Sequence, residues 1–215
     1  MDLRKHLNPG NRRARRCGYF YASDRKFIIV APHAAGDDKY TKELAEEIAH
    51  AVNGSLVVNT KFIKPTNNRA RHHPELVEDF NRLDWNPHKN DYDFSNKKPA
   101  MVEFYADILG AHGKLTVFIH GMKTKKDKTL GIDIGAESNR LTKRFTTELS
   151  NKLATYGYRA VLNDKFKAQR KENGIQFLKH KRLKALQLEF APALRKKKMR
   201  KITARIVAEA LENVF

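Results

Sequence analysis

The sequence stretch that decides the fold is residues 26–33, which read KFIIVAPH. Its apolar part is short, continuous and rich in β-branched residues, a pattern typical of a strand buried on both faces of a sheet. Two similar runs follow at 55–60 (SLVVNT) and 115–119 (LTVFI). Residues 41–52 carry apolar side chains at the spacing of one helix face and predict a helix between the first two strands. Strands that alternate with helices predict an α/β fold with a largely parallel sheet.

The rest of the chain continues this alternation. Residues 158–162 and 183–190 predict two more strands. Helical periodicity recurs in three further segments, 100–111, 139–155 and 199–214. The stretch 61–98 is polar and lacks periodicity, and 122–136 contains several Gly and Lys residues, so both are predicted to be loops. A loop as long as 61–98 within a compact domain is usually functional.

The composition excludes several classes of protein. The chain has 215 residues, 40% of them hydrophobic, which suffices for one large domain with a buried core. The single cysteine, Cys17, rules out an internal disulfide and a zinc site made of four cysteines. No stretch approaches the ~18 consecutive apolar residues of a transmembrane helix. The basic N-terminus is not followed by the apolar region of a signal peptide, so we expect a cytoplasmic protein.

The chain is strongly basic, with 43 Lys and Arg residues against 24 Asp and Glu residues and a formal net charge of +19. Most of the excess lies in residues 1–25 and 164–201, whose net charges are +5 and +11. We therefore divide the chain into a basic N-terminal segment, 1–25, and a single α/β domain, 26–215. Basic clusters attract polyanions, so nucleic-acid binding is an alternative function. The sequence favours it less, because it contains no zinc finger, RNP-type aromatic motif or helix-turn-helix signature.

Polar groups fall at or just after the ends of predicted strands, at the edge where open α/β sheets bind ligands. They are His33 with Asp37 and Asp38, Asn81 with Arg82, His120, and Glu189. Imidazoles from two strand ends and one carboxylate form a three-ligand zinc site with an open position for water. A further carboxylate near that water can act as general base. A nearby arginine can hold an anionic substrate or polarise a carbonyl group.

These residues lie in segments that resemble the N-formylglutamate amidohydrolase family, a relative of the zinc carboxypeptidases and of the poly-γ-glutamate hydrolases. The segments follow the family's order and extend over most of the chain. They are 31–38 (APHAAGDD), 79–82 (DFNR), 119–122 (IHGM), 130–135 (LGIDIG) and 186–190 (LQLEF). The resemblance implies a phosphorylase/hydrolase-like fold, a three-layer α/β/α sandwich with a largely parallel mixed sheet. It also implies one bound zinc ion per chain.

The resemblance assigns the metal ligands residue by residue. His33 matches the first metal histidine of the family and His120 matches the last. The acidic ligand follows the first histidine at a variable distance, so Asp37 and Asp38 both qualify. Related poly-γ-glutamate hydrolases favour Asp38, because their carboxylate lies five positions after the histidine.

The resemblance also implies how the substrate is held. Asn81 and Arg82 match a pair that grips the substrate carboxylate, and Glu189 matches the catalytic carboxylate. Independently of the resemblance, Arg69 and Arg71 in the loop before this pair could bind a second substrate carboxylate or could serve only as surface charges. The predicted reaction is hydrolysis of an N-acyl amino acid such as N-formylglutamate, or of a related small anionic amide. In that reaction Glu189 takes the proton of the attacking water, and zinc and Arg82 stabilise the oxyanion.

Two other features of the sequence keep alternative readings open. Asp133, between two glycines, could orient a histidine or cap a turn. His72, His73 and His88 lie in the polar stretch 61–98 without a strand to hold them, so we expect them to be solvated rather than to bind metal.

Overall fold

The computed structural model describes residues 12–23, 26–111, 115–123 and 127–215. The strands of these residues are β1 (Arg12–Ala14), β2 (Gly18–Tyr21), β3 (Phe27–Ala31), β4 (Ser55–Asn59), β5 (Asp84–Asn86), β6 (Asp91–Asp93), β7 (Leu115–Gly121), β8 (Leu130–Gly135), β9 (Arg159–Leu162) and β10 (Lys184–Phe190). Strands β5 and β6 form a separate hairpin, and the other eight form one sheet in the order β1-β2-β4-β3-β7-β10-β8-β9.

Helices cover both faces of this sheet. They are α1 (Thr41–Ala51), α2 (Pro99–Gly110), α3 (Arg140–Ala154), α4 (Gly174–His180), α5 (Pro192–Arg195) and α6 (Lys197–Val214). Apolar side chains of α1, α3 and α6 pack in the core on one face, and those of α2 and α4 pack in the core on the other. The predicted α/β/α sandwich is therefore confirmed. Among the helices of the described ranges, none combines the length and the apolar character needed to cross a membrane.

The centre of the sheet is parallel. Strands β4, β3, β7 and β10 run in the same direction, whereas β8 pairs with β10 in the antiparallel sense and β2 does so with β4. All five residues of β3 and all five of β4 are buried, because helices cover both sides. The carboxyl ends of β3, β7 and β10 consequently meet at one edge of the sheet.

Strand β8 lies inside the stretch 122–136, where the sequence analysis predicted a loop, and that prediction was wrong for residues 130–135. Glycines at both ends of the strand and an aspartate in its middle argued against a strand. The structure shows why it tolerates them. A side chain at Gly135 would overlap the carbonyl oxygen of Phe166. Asp133 is fully buried because its carboxylate accepts backbone N–H groups from the following loop.

Residues 12–21, from the segment that the sequence analysis set apart as basic, extend the main sheet. Strand β2 pairs with β4, and Phe20 is buried in the core beneath α2. Arg15 forms a two-pronged ion pair with Asp107 of α2, with both N–O distances at 2.7 Å. Burial raises the pKa of the neighbouring Cys17 thiol to about 12, so this cysteine is held in its unreactive form.

Replacement of Phe20 by alanine tests whether β2 belongs to the cooperative fold. We expect the free energy of unfolding to fall by about 3–5 kcal/mol, the usual cost of removing a buried phenylalanine. For a chain of this size that lowers the melting temperature by roughly 6–15 °C in thermal denaturation. Tyr156→Ala, at an aromatic that is 40% exposed, is the control and should change little. A loss below about 1 kcal/mol for Phe20→Ala would make residues 12–21 an appended arm.

Candidate functional site

The ends of β3 and β7 bring two histidines together. The two strands are parallel and in register, with Val30 opposite Phe118. His33 follows β3 after one proline, and His120 is the penultimate residue of β7. Both rings are buried, at 5% and 2% exposure, and their centroids are 4.8 Å apart.

Asp38 completes the group because the chain turns back after β3. The backbone N–H of Asp38 donates to the carbonyl of His33 at 3.2 Å. Its Oδ2 lies 3.3 Å from His33 Nδ1 and 3.5 Å from His120 Nδ1, and the two Nδ1 atoms are 3.1 Å apart. We refer to these three atoms as the donor triangle. Four ligands around zinc at bond lengths of 2.0–2.1 Å lie about 3.3–3.4 Å from one another, so the donor triangle has the dimensions of three zinc ligands.

The structure places the two candidate aspartates differently. Asp37 points away from the histidines: its Oδ2 accepts the backbone N–H of Lys64 at 2.9 Å, and its Oδ1 accepts the side-chain amide of Asn67 at 2.6 Å. Asp37 therefore organises the loop after β4. Asp38 is the one of the two that joins His33 and His120.

Two residues that the sequence analysis did not assign to the site hold the donor triangle in place. His33 Nε2 donates to Asp79 Oδ1 at 2.8 Å, which leaves the Nδ1 lone pair of His33 facing the triangle. The ammonium group of Lys64 donates to Asp38 Oδ1 at 3.2 Å and so leaves Oδ2 as the oxygen that faces the histidines. Asp79 lies in the DFNR segment, which was the available signal, whereas Lys64 lies in the irregular stretch 61–98.

The pKa values of the two histidines and of Asp38 are shifted when no metal is bound. Burial opposes charge on all three. Hydrogen bonds from both histidines nevertheless hold the pKa of Asp38 far below its usual range, and bonds to Asp38 and Asp79 raise the pKa of His33. Burial and the charge of His33 lower the pKa of His120 to about 4.

Glu189 lies beside the triangle on the neighbouring strand. In the sheet it pairs with His120 of β7 on one side and with Asp133 of β8 on the other. It is 7% exposed, and Gln187 donates to its Oε1 at 3.4 Å. Burial first, and the charge of Asp38 second, raise the pKa of Glu189 to about 8. A carboxyl group with a pKa near neutrality is suited to proton transfer.

Asp133 holds the loop that follows β9. Its two carboxylate oxygens accept the backbone N–H groups of Asp164, Lys165 and Phe166 at 3.2, 2.9 and 3.3 Å. The turn-capping alternative describes this contact better. Asp133 fixes the loop after β9 against the same edge of the sheet as the donor triangle.

The predicted substrate-binding residues lie in the stretch before α2. Asn81 donates its backbone N–H to Asp79 at 3.0 Å, and its buried side-chain oxygen has no hydrogen-bond partner among the described residues. Arg82 and Arg71 are exposed. Across the described ranges, no hydrogen bond or ion pair engages the guanidinium group of Arg82. Their roles in substrate binding stay predictions.

A cavity of about 690 Å³ opens next to the donor triangle. Asp38 lines it, as do Gly36, Asp37, Lys64, Thr66, Asn67, Asn68, Gly121, Met122, Lys123, Lys165 and Phe166. The lining does not include His33, His120, Glu189, Asn81 or Arg82. The cavity is large enough to hold a small molecule.

A buried arginine ties the loops of the site together. Arg195, which is 6% exposed, donates from Nε to the carbonyl of Phe190 at 3.1 Å and from Nη2 to that of Met122 at 3.0 Å. Its Nη1 donates to the carbonyl of Lys39. One guanidinium group thus joins the ends of β7 and β10 to the loop that follows Asp38. The sequence analysis did not single it out, because it lies in a run of basic residues.

The raised pKa of Glu189 predicts how the stability of the metal-free protein depends on pH. The unfolded carboxyl titrates near 4.3, so the folded protein retains a proton that the unfolded chain has lost. The stabilisation is complete below that value and is lost as the pH rises toward and through about 8. Glu189→Gln has no such titration. We expect the melting temperature of Glu189→Gln minus that of the wild type, both measured in EDTA, to increase by at least about 3 °C from pH 5 to pH 8. A change of this size corresponds to the free energy of about one pKa unit.

A matched control for this measurement is Glu212→Gln, because the side chain of Glu212 is 47% exposed and pairs with a lysine, Lys26, rather than with a histidine. Its melting temperature should run parallel to that of the wild type over the same pH range. Parallel curves for Glu189→Gln as well would show that Glu189 is ionised in the metal-free fold.

Comparison with known proteins shows what this architecture is similar to. The sequence matches no protein-family profile, and no curated protein matches it significantly. A bacteriophage poly-γ-glutamate hydrolase has a similar structure, with a TM-score of 0.55 and 20% identity, over 87% of this chain and 84% of that one. N-formylglutamate amidohydrolase from Ralstonia eutropha JMP134 has a TM-score of 0.54 and 14% identity, over 88% and 94%.

A metallo-carboxypeptidase from Burkholderia cenocepacia also matches, with a TM-score of 0.54 and 10% identity, over 97% of this chain and 65% of that one. At these identities the similarity is one of fold. It confirms, at that level, the relationship that the sequence motifs indicate: the chain has the fold of the N-formylglutamate amidohydrolase, the poly-γ-glutamate hydrolase and the metallo-carboxypeptidase.

Proposed function

We propose that the protein is a zinc-dependent amidohydrolase that cleaves an N-acyl amino acid, similar to N-formylglutamate, or a related amide that bears a carboxylate. The observation that carries the proposal is the donor triangle, three buried ligand atoms 3.1–3.5 Å apart. The shared fold supports it, since the similar structures are named as hydrolases and as a metallo-carboxypeptidase.

The residues present fit a zinc ion. Two imidazole nitrogens and one carboxylate oxygen are a ligand set that zinc prefers, and three protein ligands leave a fourth position open. Asp79 keeps His33 in the tautomer whose Nδ1 is free to bind. Without a cation the three lone pairs repel one another unless a proton lies between them. When bound, zinc would supply Lewis acidity, polarising the substrate carbonyl and acidifying water at the open position.

Glu189 is the residue we assign to proton transfer. It takes a proton from the water that attacks the acyl carbon and then donates that proton to the leaving nitrogen, so that the amide bond breaks to a carboxylic acid and an amine. Burial makes its neutral form accessible, and positive charge at the donor triangle favours its ionised form. These opposing effects bring the carboxyl into the pH range in which it can both accept and donate a proton.

Metal content tests the ligand assignment directly. We expect about one zinc per chain after dialysis against zinc and buffer, and a loss of affinity of at least about 100-fold for His120→Ala and for Asp38→Ala, measured against a competing chelator. Asp37→Ala is the matched control, because Asp37 contacts only the loop at 64–67 in the bonds described above. It should stay within a few-fold of the wild type.

Two results would contradict this assignment. One is zinc that persists unchanged in His120→Ala, and the other is an Asp37→Ala variant that loses zinc as Asp38→Ala does. Protein without stoichiometric metal that binds nucleic acid with steep salt dependence would favour the alternative function instead.

The role of Glu189 is tested by kinetics. Glu189→Gln keeps the shape of the side chain and removes its basicity, so we expect hydrolysis to fall by at least about 100-fold while zinc is retained. The assay starts from N-formyl-L-glutamate and extends to a panel of N-acyl amino acids and short glutamyl peptides. Retained activity would assign the proton transfer to another group, and loss of zinc would make Glu189 a ligand.

A further inference from the structure

The walls of the cavity next to Asp38 carry three lysines, Lys64, Lys123 and Lys165. They come from three separate segments: the loop after β4, the end of β7 and the loop after β9. The proposed metal site needs none of them as a ligand. Three positively charged side chains from distant parts of the chain therefore line one cavity, where they can attract an anionic ligand.

The three lysines are not equivalent. The ammonium group of Lys64 is 3.2 Å from Asp38 Oδ1, so its charge is balanced within the site. The other acid in the lining, Asp37, has both oxygens engaged by the loop at 64–67. Within the described ranges, Lys123 and Lys165 have no acidic partner within ion-pair distance. The cavity therefore holds two exposed ammonium groups that form no ion pair with its own carboxylates, and its lining has three lysines against two aspartates.

The backbones that carry these two lysines are fixed rather than loose. Lys165 donates its N–H to the buried carboxylate of Asp133 at 2.9 Å. Lys123 follows Met122, whose N–H donates to the carbonyl of Phe190 at 3.1 Å and whose carbonyl accepts from Arg195 at 3.0 Å. Both ammonium groups thus project from anchored positions on the cavity wall, while Arg82 lies outside the lining.

We propose that Lys123 and Lys165 determine substrate specificity by binding an anionic group remote from the scissile amide. The inference rests on the proposed function and assigns to these two lysines the side-chain carboxylate of a glutamyl-type substrate. Two unpaired ammonium groups in a partly enclosed cavity attract such a carboxylate strongly. Lysine, as a flexible point charge, accepts a carboxylate without the fixed geometry that an arginine fork requires.

The test compares N-formyl-L-glutamate with N-formyl-L-glutamine, which has nearly the same shape but lacks the side-chain charge. For the zinc-loaded enzyme, Lys123→Met and Lys165→Met should each raise KM for the glutamate substrate by about 10-fold, with kcat within about 2-fold. KM for the glutamine substrate should not change. Lys167→Met, in the same loop as Lys165 but outside the lining, is the control and should match the wild type.

The opposite pattern, in which Arg82→Met raises KM for the glutamate substrate and the two lysine variants do not, would overturn the inference and leave the proposed hydrolysis standing. Calorimetric titration with glutarate separates the remaining cases, because it needs no turnover. Weaker glutarate binding in Lys123→Met and Lys165→Met without hydrolysis of either substrate would uphold the lysine site and reject the proposed function. Wild-type protein that neither hydrolyses these substrates nor binds glutarate would reject both.

Discussion

Three buried electron-pair donors meet at the edge of the sheet, with His33 and His120 Nδ1 only 3.1 Å apart and Asp38 Oδ2 within 3.5 Å of each. Such an arrangement repels itself unless a positive charge lies among its members. The surrounding contacts maintain it: Asp79 fixes one ring from behind, and Lys64 occupies the far oxygen of Asp38. The fold tolerates this repulsion where parallel strands bring both histidines together, which is the arrangement expected of a group that could hold a metal ion.

The sequence was sufficient for the parallel core and for the two histidines of the donor triangle, because buried strands are continuous apolar runs and the polar residues directly after them are conspicuous. It could not decide between Asp37 and Asp38, since that choice depends on how the loop at 64–67 folds back. It also missed β8. Asp133 in the middle of β8 is stabilised by N–H groups of the loop at 164–166, which is distant in the sequence. The residues of β8 alone therefore do not distinguish a strand from a turn.

The net charge counted along the sequence did not predict where the charged side chains lie in the fold. Arg15, Arg195 and Arg200 belong to the densest basic runs, yet each is engaged inside the structure: Arg15 with Asp107, Arg195 with three carbonyls and Arg200 with the buried Glu47. A count along the sequence assigns these cations to a surface for polyanions. In the fold they fasten β2 to α2, the site loops to one another and α6 to α1, so part of the apparent excess is structural.

The guanidinium group of Arg195 lies where the side chain of residue 121 would otherwise be. A methyl group at Gly121 would come within 2.6 Å of Arg195 Cζ. The two positions therefore share one volume, and any lineage that enlarges residue 121 must shorten residue 195 and find another partner for the three carbonyls. We expect residues 121 and 195, which lie next to His120, to vary together in evolution. The lysines on the cavity wall can vary independently of this pair.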